Sequence, residues 1–140
     1  MSQDQSVENA LHCGSPKTIL VADDETHILH VVSMKLRNAG YNVVTARNGK
    51  EALEAATAQR PDLLITDYHM PELSGLELCQ RLQQDPEMRS IPKIMLTARG
   101  YNLEQADTDS SGIRCLLSKP FSPRQLLAMV NEVLQHGIAA

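Results

Sequence analysis

Three carboxylates, a hydroxyl and an ammonium stand in this chain where apolar runs stop. Asp67 follows Leu63-Leu64-Ile65-Thr66, and Asp23 with Asp24 follows Thr18-Ile19-Leu20-Val21-Ala22. Thr97 closes the run that begins at Ile91, and Lys119 comes just after Leu116-Leu117. Short unbroken apolar runs read as strands buried on both faces, the pattern of a parallel sheet. In such a sheet the carboxyl ends lie along one edge, where open α/β folds place their ligands. Carboxylates gathered there repel one another, and their pKa values rise unless a cation compensates. Mg²⁺ suits the position, because it takes oxygen ligands and commonly uses one or two carboxylates together with phosphate oxygens. Each residue alone has a plainer explanation: aspartates cap turns, lysines are solvated, and threonine is a good β former. The conjunction of all five on one edge outweighs those separate explanations.

The elements that must position these groups alternate between strand and helix patterns. After the first strand, Ile28, Val32, Leu36 and Ala39 fall at helical spacing, with Gly40 as the stop. Val43-Val44-Thr45 is a short second strand, and Asn48-Gly-Lys-Glu51 has capping-box spacing for a helix through Ala58. Pro61 opens the central strand and Met70-Pro71 halts the chain beyond it. Ser74-Gly-Leu-Glu77 caps a third helix reaching about Gln84. Ile91 to Thr97 is the fourth strand, Cys115 to Leu117 the fifth, and Ser122-Pro123 opens a last helix that Gly137 closes. Strands alternating with helices mean βαβ crossovers. The segment from Ala98 to Gly112 is rich in Gly, Asp, Ser and Asn, and is expected to be a short, irregular or mobile helix.

Composition bounds the class. The 140 residues fit one domain, and 42% are apolar, with no Trp and a single Phe, so aliphatic side chains and Met must fill the core. The formal net charge of -4 offers no basic footprint for nucleic acid. Three cysteines without metal-ligand spacing fit reduced thiols in the cytoplasm; Cys79 and Cys115 are expected in the core. No apolar run is long enough to span a membrane, and the polar start does not resemble a secretory signal. Residues 1–16 are read as a flexible tail, 17–137 as the domain, and 138–140 as a short end.

Val21-Ala22-Asp23-Asp24-Glu25, Asp67-Tyr68-His69-Met70-Pro71, Thr97-Ala98 and Lys119-Pro120-Phe121, in this order, resemble the receiver domains of two-component response regulators. The resemblance covers residues 17 to about 136. It implies a flavodoxin-like (βα)₅ fold, with a parallel five-stranded sheet of order 2-1-3-4-5 between helical layers. It implies that Asp67 accepts a phosphoryl group from a histidine kinase or phosphotransfer protein. Mg²⁺ (or Mn²⁺) would be held by Asp24, Asp67 and the backbone carbonyl of His69, with Asp23 acting through water. Lys119 would pair with a phosphoryl oxygen, Thr97 with its neighbour Ala98 would respond to it, and Lys119-Pro120 is a candidate cis peptide. Partners would be proteins upstream and downstream, and the chain would be a monomer or a phosphorylation-dependent dimer.

Departures from the family pattern matter too. Leu116 stands where many members carry an aromatic ring, so the usual ring rotation cannot occur. His69 and Arg99 occupy variable positions that flank the phosphoryl group. His27 and His30 have a metal-compatible spacing, but no third ligand lies near in sequence, and exposure is expected. Two other classes compete. An Asp-x-Asp phosphatase would need a second acid where His69 stands, and an unphosphorylated interaction module would not need the full set of five. With little chain after the last helix, a receiver without an attached output domain is expected, or one excised from a longer regulator.

Overall fold

All five apolar runs become strands of one parallel sheet. The computed structural model describes residues 16–97 and 112–136. The strands are β1 (Thr18–Ala22), β2 (Asn42–Ala46), β3 (Leu63–Asp67), β4 (Lys93–Thr97) and β5 (Ile113–Ser118). Among the described residues the helices are α1 (Thr26–Asn38), α2 (Gly49–Gln59), α3 (Gly75–Gln83) and α4 (Pro123–His136). The strand order is β2-β1-β3-β4-β5, which is the expected 2-1-3-4-5 arrangement. The chain is α/β and flavodoxin-like. The expected tail through residue 15, the weak helix over 98–111 with Ala98 and Arg99, and the end beyond residue 136 lie outside the described residues.

Period-two alternation along the strands divides the core into two layers. Ile19, Val21, Leu63, Ile65, Ile94, Leu96 and Leu117 pack on one side with Leu29, Val32 and Leu36 of α1 and Leu126, Val130 and Val133 of α4. Leu20, Ala22, Ala46, Leu64 and Met95 pack on the other with Ala52 and Ala56 of α2 and Leu78, Cys79 and Leu82 of α3. Every residue of β3 and β4 is buried, so the central strands carry no solvent face. That explains their unbroken apolar runs. Cys79 is fully buried and Cys115 partly so.

Helix starts follow local chemistry. Ser74 makes the full reciprocal capping box with Glu77. Asn48 makes only half of one: its side chain accepts from the Glu51 amide, while Glu51 reaches back to the amide of Arg47 instead of Asn48. The Ser122 hydroxyl accepts from the Gln125 amide at the start of α4. Two expected boundaries shift. β4 begins at Lys93, because Pro92 has no N–H to donate. β5 begins at Ile113, earlier than its most apolar residues indicated. Gly40, at φ +100, ends α1 in a conformation that suits glycine.

Candidate functional site

The carboxyl ends of β1, β3, β4 and β5 meet at one edge, and backbone bonds extend the sheet just past them. The Asp23 amide donates to the Ala46 carbonyl at 3.1 Å, Tyr68 to Leu96 at 2.9 Å, and Lys119 to Thr97 at 2.8 Å. Each side chain that could do chemistry is therefore mounted on fixed backbone. Asp67, the last residue of β3, is 6% exposed, and Asp23 is fully buried. Asp24 and Glu25 point outward enough to be exposed, and Thr97 is buried at the end of β4.

The Lys119 ammonium ties these groups together. Its Nζ lies 3.1 Å from Glu25 Oε2, 3.2 Å from Asp23 Oδ2 and 3.3 Å from Asp67 Oδ1. Glu25 also donates its amide to Asp23 Oδ1 at 2.9 Å. Burial pushes the Asp67 carboxyl up to about 6, helped by the charges of Asp23 and Asp24 and opposed by Lys119. Asp23 is raised as well, mainly by burial, against the opposing pull of the Glu25 amide and Lys119. Burial works to lower Lys119, but its bond to Glu25 and the charges of Asp23 and Asp67 outweigh it and raise the net value.

Two glycines set the loop between β3 and α3. A Cβ on Gly75 would lie 2.1 Å from the Asp67 carbonyl oxygen, and the Gly75 amide donates to the Tyr68 carbonyl at 2.8 Å. A Cβ on Gly49, at the start of α2, would lie 2.0 Å from the Leu73 carbonyl oxygen. Only glycine allows these approaches. The first turn of α3 thus rests directly on the backbone of Asp67.

The donor set suits a hard divalent cation. Carboxylate oxygens of Asp23, Asp24 and Glu25 come within 4.8 Å of one another. Asp23 Oδ2 is buried without a hydrogen-bond partner, for its 3.2 Å contact with Lys119 is an ion pair that lacks hydrogen-bond alignment. A buried carboxylate oxygen so placed favours a nearby cation.

Of the residues singled out in the sequence, Asp23, Asp67 and Lys119 are in direct contact and Asp24 is adjacent. The Lys119-Pro120 bond is cis. Leu116 is 42% exposed on β5, and His27 and His30 are exposed on α1. The His69 ring is exposed and packs edge-on against Tyr68, with centroids 4.6 Å apart. Sequence reasoning gave Glu25 no role, although it directly follows Asp23-Asp24. It also missed Gly75, whose place in a capping box hid its contact with Asp67.

Fold and site together define a flavodoxin-like α/β module with buried carboxylates and an ammonium at the carboxyl edge of its sheet, and comparison with known proteins gives its class. Residues 19–131 match the response regulator receiver domain, and the chain belongs to that family. It is 39% identical over 86% of its length to the alkaline phosphatase synthesis transcriptional regulatory protein PhoP of Bacillus subtilis, covering 50% of that protein. It is 39% identical over 85% of its length to the phosphate regulon transcriptional regulatory protein PhoB of Pseudomonas aeruginosa, covering 52% of it. The chain thus spans about half the length of these curated relatives. Among solved structures, a response regulator from Chloroflexus aurantiacus matches with a TM-score of 0.80 at 36% identity, covering 86% of this chain and 99% of that one. The chemotaxis response regulator CheY4 of Vibrio cholerae matches with a TM-score of 0.79 at 33% identity, covering 85% and 99%. None of the described helices is long and apolar enough to cross a membrane.

Proposed function

We propose that residues 17–137 act as the receiver of a two-component phosphorelay, with Asp67 as the phosphoacceptor. The observation that carries this reading is the buried Asp67 carboxylate at the end of the central strand, 3.3 Å from the Lys119 ammonium. With a pKa of about 6, Asp67 is mostly ionised at neutral pH, so an oxygen is available as the nucleophile. Phosphoryl transfer needs positioning and charge stabilisation more than covalent assistance. Lys119 supplies a fixed positive charge for a phosphoryl oxygen, and doing so weakens its hold on Glu25. Thr97, with Ala98 beside it, is the hydroxyl that responds to the modified state.

Asp24, Asp67 and the His69 carbonyl would hold Mg²⁺ or Mn²⁺, with Asp23 linked through water. When bound, the ion would supply positive charge to stabilise the transferred group. The same charge offsets the repulsion among the carboxylates that raises Asp67. The proposed partners are a histidine kinase or phosphotransfer protein upstream and a protein target downstream, in the cytoplasm. Chemistry at Asp67 would be self-modification, not turnover of a substrate.

Acetyl phosphate with Mg²⁺, followed by intact-mass measurement, tests the reading. One phosphoryl increment should appear, and it should vanish in Asp67→Asn and in the presence of a chelator. An unmodified wild-type mass would make the chain an interaction module of receiver shape instead.

A further inference from the structure

The amino ends of β4 and β5, at the opposite edge of the sheet, hold a second concentration of charge, and its sign is positive. Gln83, Arg89, Ser90, Ile91, Pro92, Gly112 and Arg114 line an open cavity of about 290 Å³ there. Two arginines line it, and no acidic residue does among the described residues. Behind the wall sits Lys93, fully buried, its ammonium bonded to Gln83 Oε1 at 3.0 Å and to the Ile91 carbonyl at 2.7 Å. Both acceptors are neutral, so they solvate that charge without cancelling it. Burial lowers the Lys93 pKa, and the positive charge of Arg114 lowers it further.

The backbone presents Arg114 in a particular way. Lys93 pairs with Ile113 and Ile94 with Cys115, leaving Arg114 as the extra residue of a bulge. Bulges re-aim side chains and recur next to binding sites. Gly112, at φ +71, lies so close to Gln83 that a Cβ would be 2.4 Å from its Oε1. Glycine at this position leaves the room that the Gln83 side chain takes up beside Lys93.

We propose that this cavity binds a doubly charged tetrahedral oxyanion, inorganic phosphate or the head of a phosphomonoester, through Arg89 and Arg114. Planar guanidinium forks match the oxygen pairs of such a group and bind it through charge-assisted bonds. Lys93 adds attraction from behind the wall without direct contact, while Arg89 and Arg114, both exposed, meet the ligand from the solvent side. The ligand is small because the cavity is small. The site lies at the opposite edge of the sheet from Asp67 and shares no residue with it.

The test is calorimetric titration of the full chain in metal-stripped buffer at constant ionic strength, with sodium phosphate against sodium chloride. A parallel arm uses glycerol phosphate to distinguish free phosphate from an ester. Phosphate should saturate a single site, and Arg89→Gln and Arg114→Gln should each weaken it by roughly tenfold or more, since a bond to a charged group is worth about that factor. Asp67→Asn should titrate like the wild type. Acetyl phosphate should still modify both Arg variants, so failure at this cavity is distinguishable from failure at Asp67. Equal responses to phosphate and chloride, or wild-type affinity in both Arg variants, would overturn the proposal.

Discussion

The two edges of the sheet bury charge in opposite ways. At the carboxyl edge, buried Asp23 and Asp67 share one ammonium, and burial with help from the neighbouring like charges lifts the Asp67 pKa to about 6. At the amino edge, buried Lys93 has two neutral acceptors and a repelling Arg114. The carboxyl edge thus holds a counter-ion within the protein, whereas the amino edge has none among the described residues. The lesson is that burial and repulsion raise acids and lower bases alike, but only an internal partner makes the removal of one charge costly.

The largest effect should come from the backbone under the acidic edge. Gly75→Ala puts a methyl into the Asp67 carbonyl, which cannot give way without moving β3, and a loss of about 3–4 kcal/mol is expected in urea unfolding. Gly112→Ala at the basic edge meets a flexible Gln83 side chain and a positive φ, and should cost roughly 1–2 kcal/mol. Equal costs at the two glycines would break the contrast in rigidity.

Next in size is Asp67→Asn in metal-free buffer. The folded pKa of about 6 exceeds the ordinary 3.8, so the folded state holds the proton more tightly and this group's contribution to stability falls as pH rises between those values. Above pH 6 the charged carboxylate is a net cost of up to roughly 3 kcal/mol, which Asn removes. The variant should be more stable than the wild type at pH 7 and lose this advantage towards pH 4. A constant difference across pH would show that the raised Asp67 carboxyl is not its source.

Removing the ammonium at each edge sharpens the comparison. Lys119→Met strands Asp23 and Asp67 without their cation, and about 2 kcal/mol should be lost at pH 7 without metal, a cost limited because Asp67 can take up a proton. Lys93→Met removes a desolvated charge but leaves two acceptors unmet, so the terms offset to within about 1 kcal/mol. If Lys93→Met were the costlier change, the amino edge would contain a counter-ion after all. Asp24→Ala is the smallest, under about 0.5 kcal/mol in unfolding because the residue is exposed, yet it should sharply weaken Mg²⁺ in a direct titration.

The carboxyl edge was legible because each of its residues follows an unbroken apolar run, and parallel topology carries run ends to one side. Asp67, Asp23 and Lys119 could be brought together on that argument alone. Glu25 could not, because its bond to Lys119 depends on a side-chain direction that spacing does not determine. The basic edge was illegible for a related reason. A lysine in Ile91-Pro-Lys-Ile looks like a strand end turned to solvent, and its burial depends on a glutamine ten residues earlier. The start of β5 was missed because Ile113 lies between a glycine and the bulge at Arg114, where alternation is broken.

The glycine contact beneath Asp67 has a mechanical consequence. Most neighbouring elements in a protein are separated by side chains, which can absorb a shift by turning about a bond. Between the Asp67 carbonyl and the first turn of α3 there is no such cushion, since Gly75 brings backbone onto backbone. A displacement of the Asp67 peptide towards α3 therefore has to be carried by the helix as a body. The reactive residue and α3 are coupled like parts of a lever, stiff in compression at that one point.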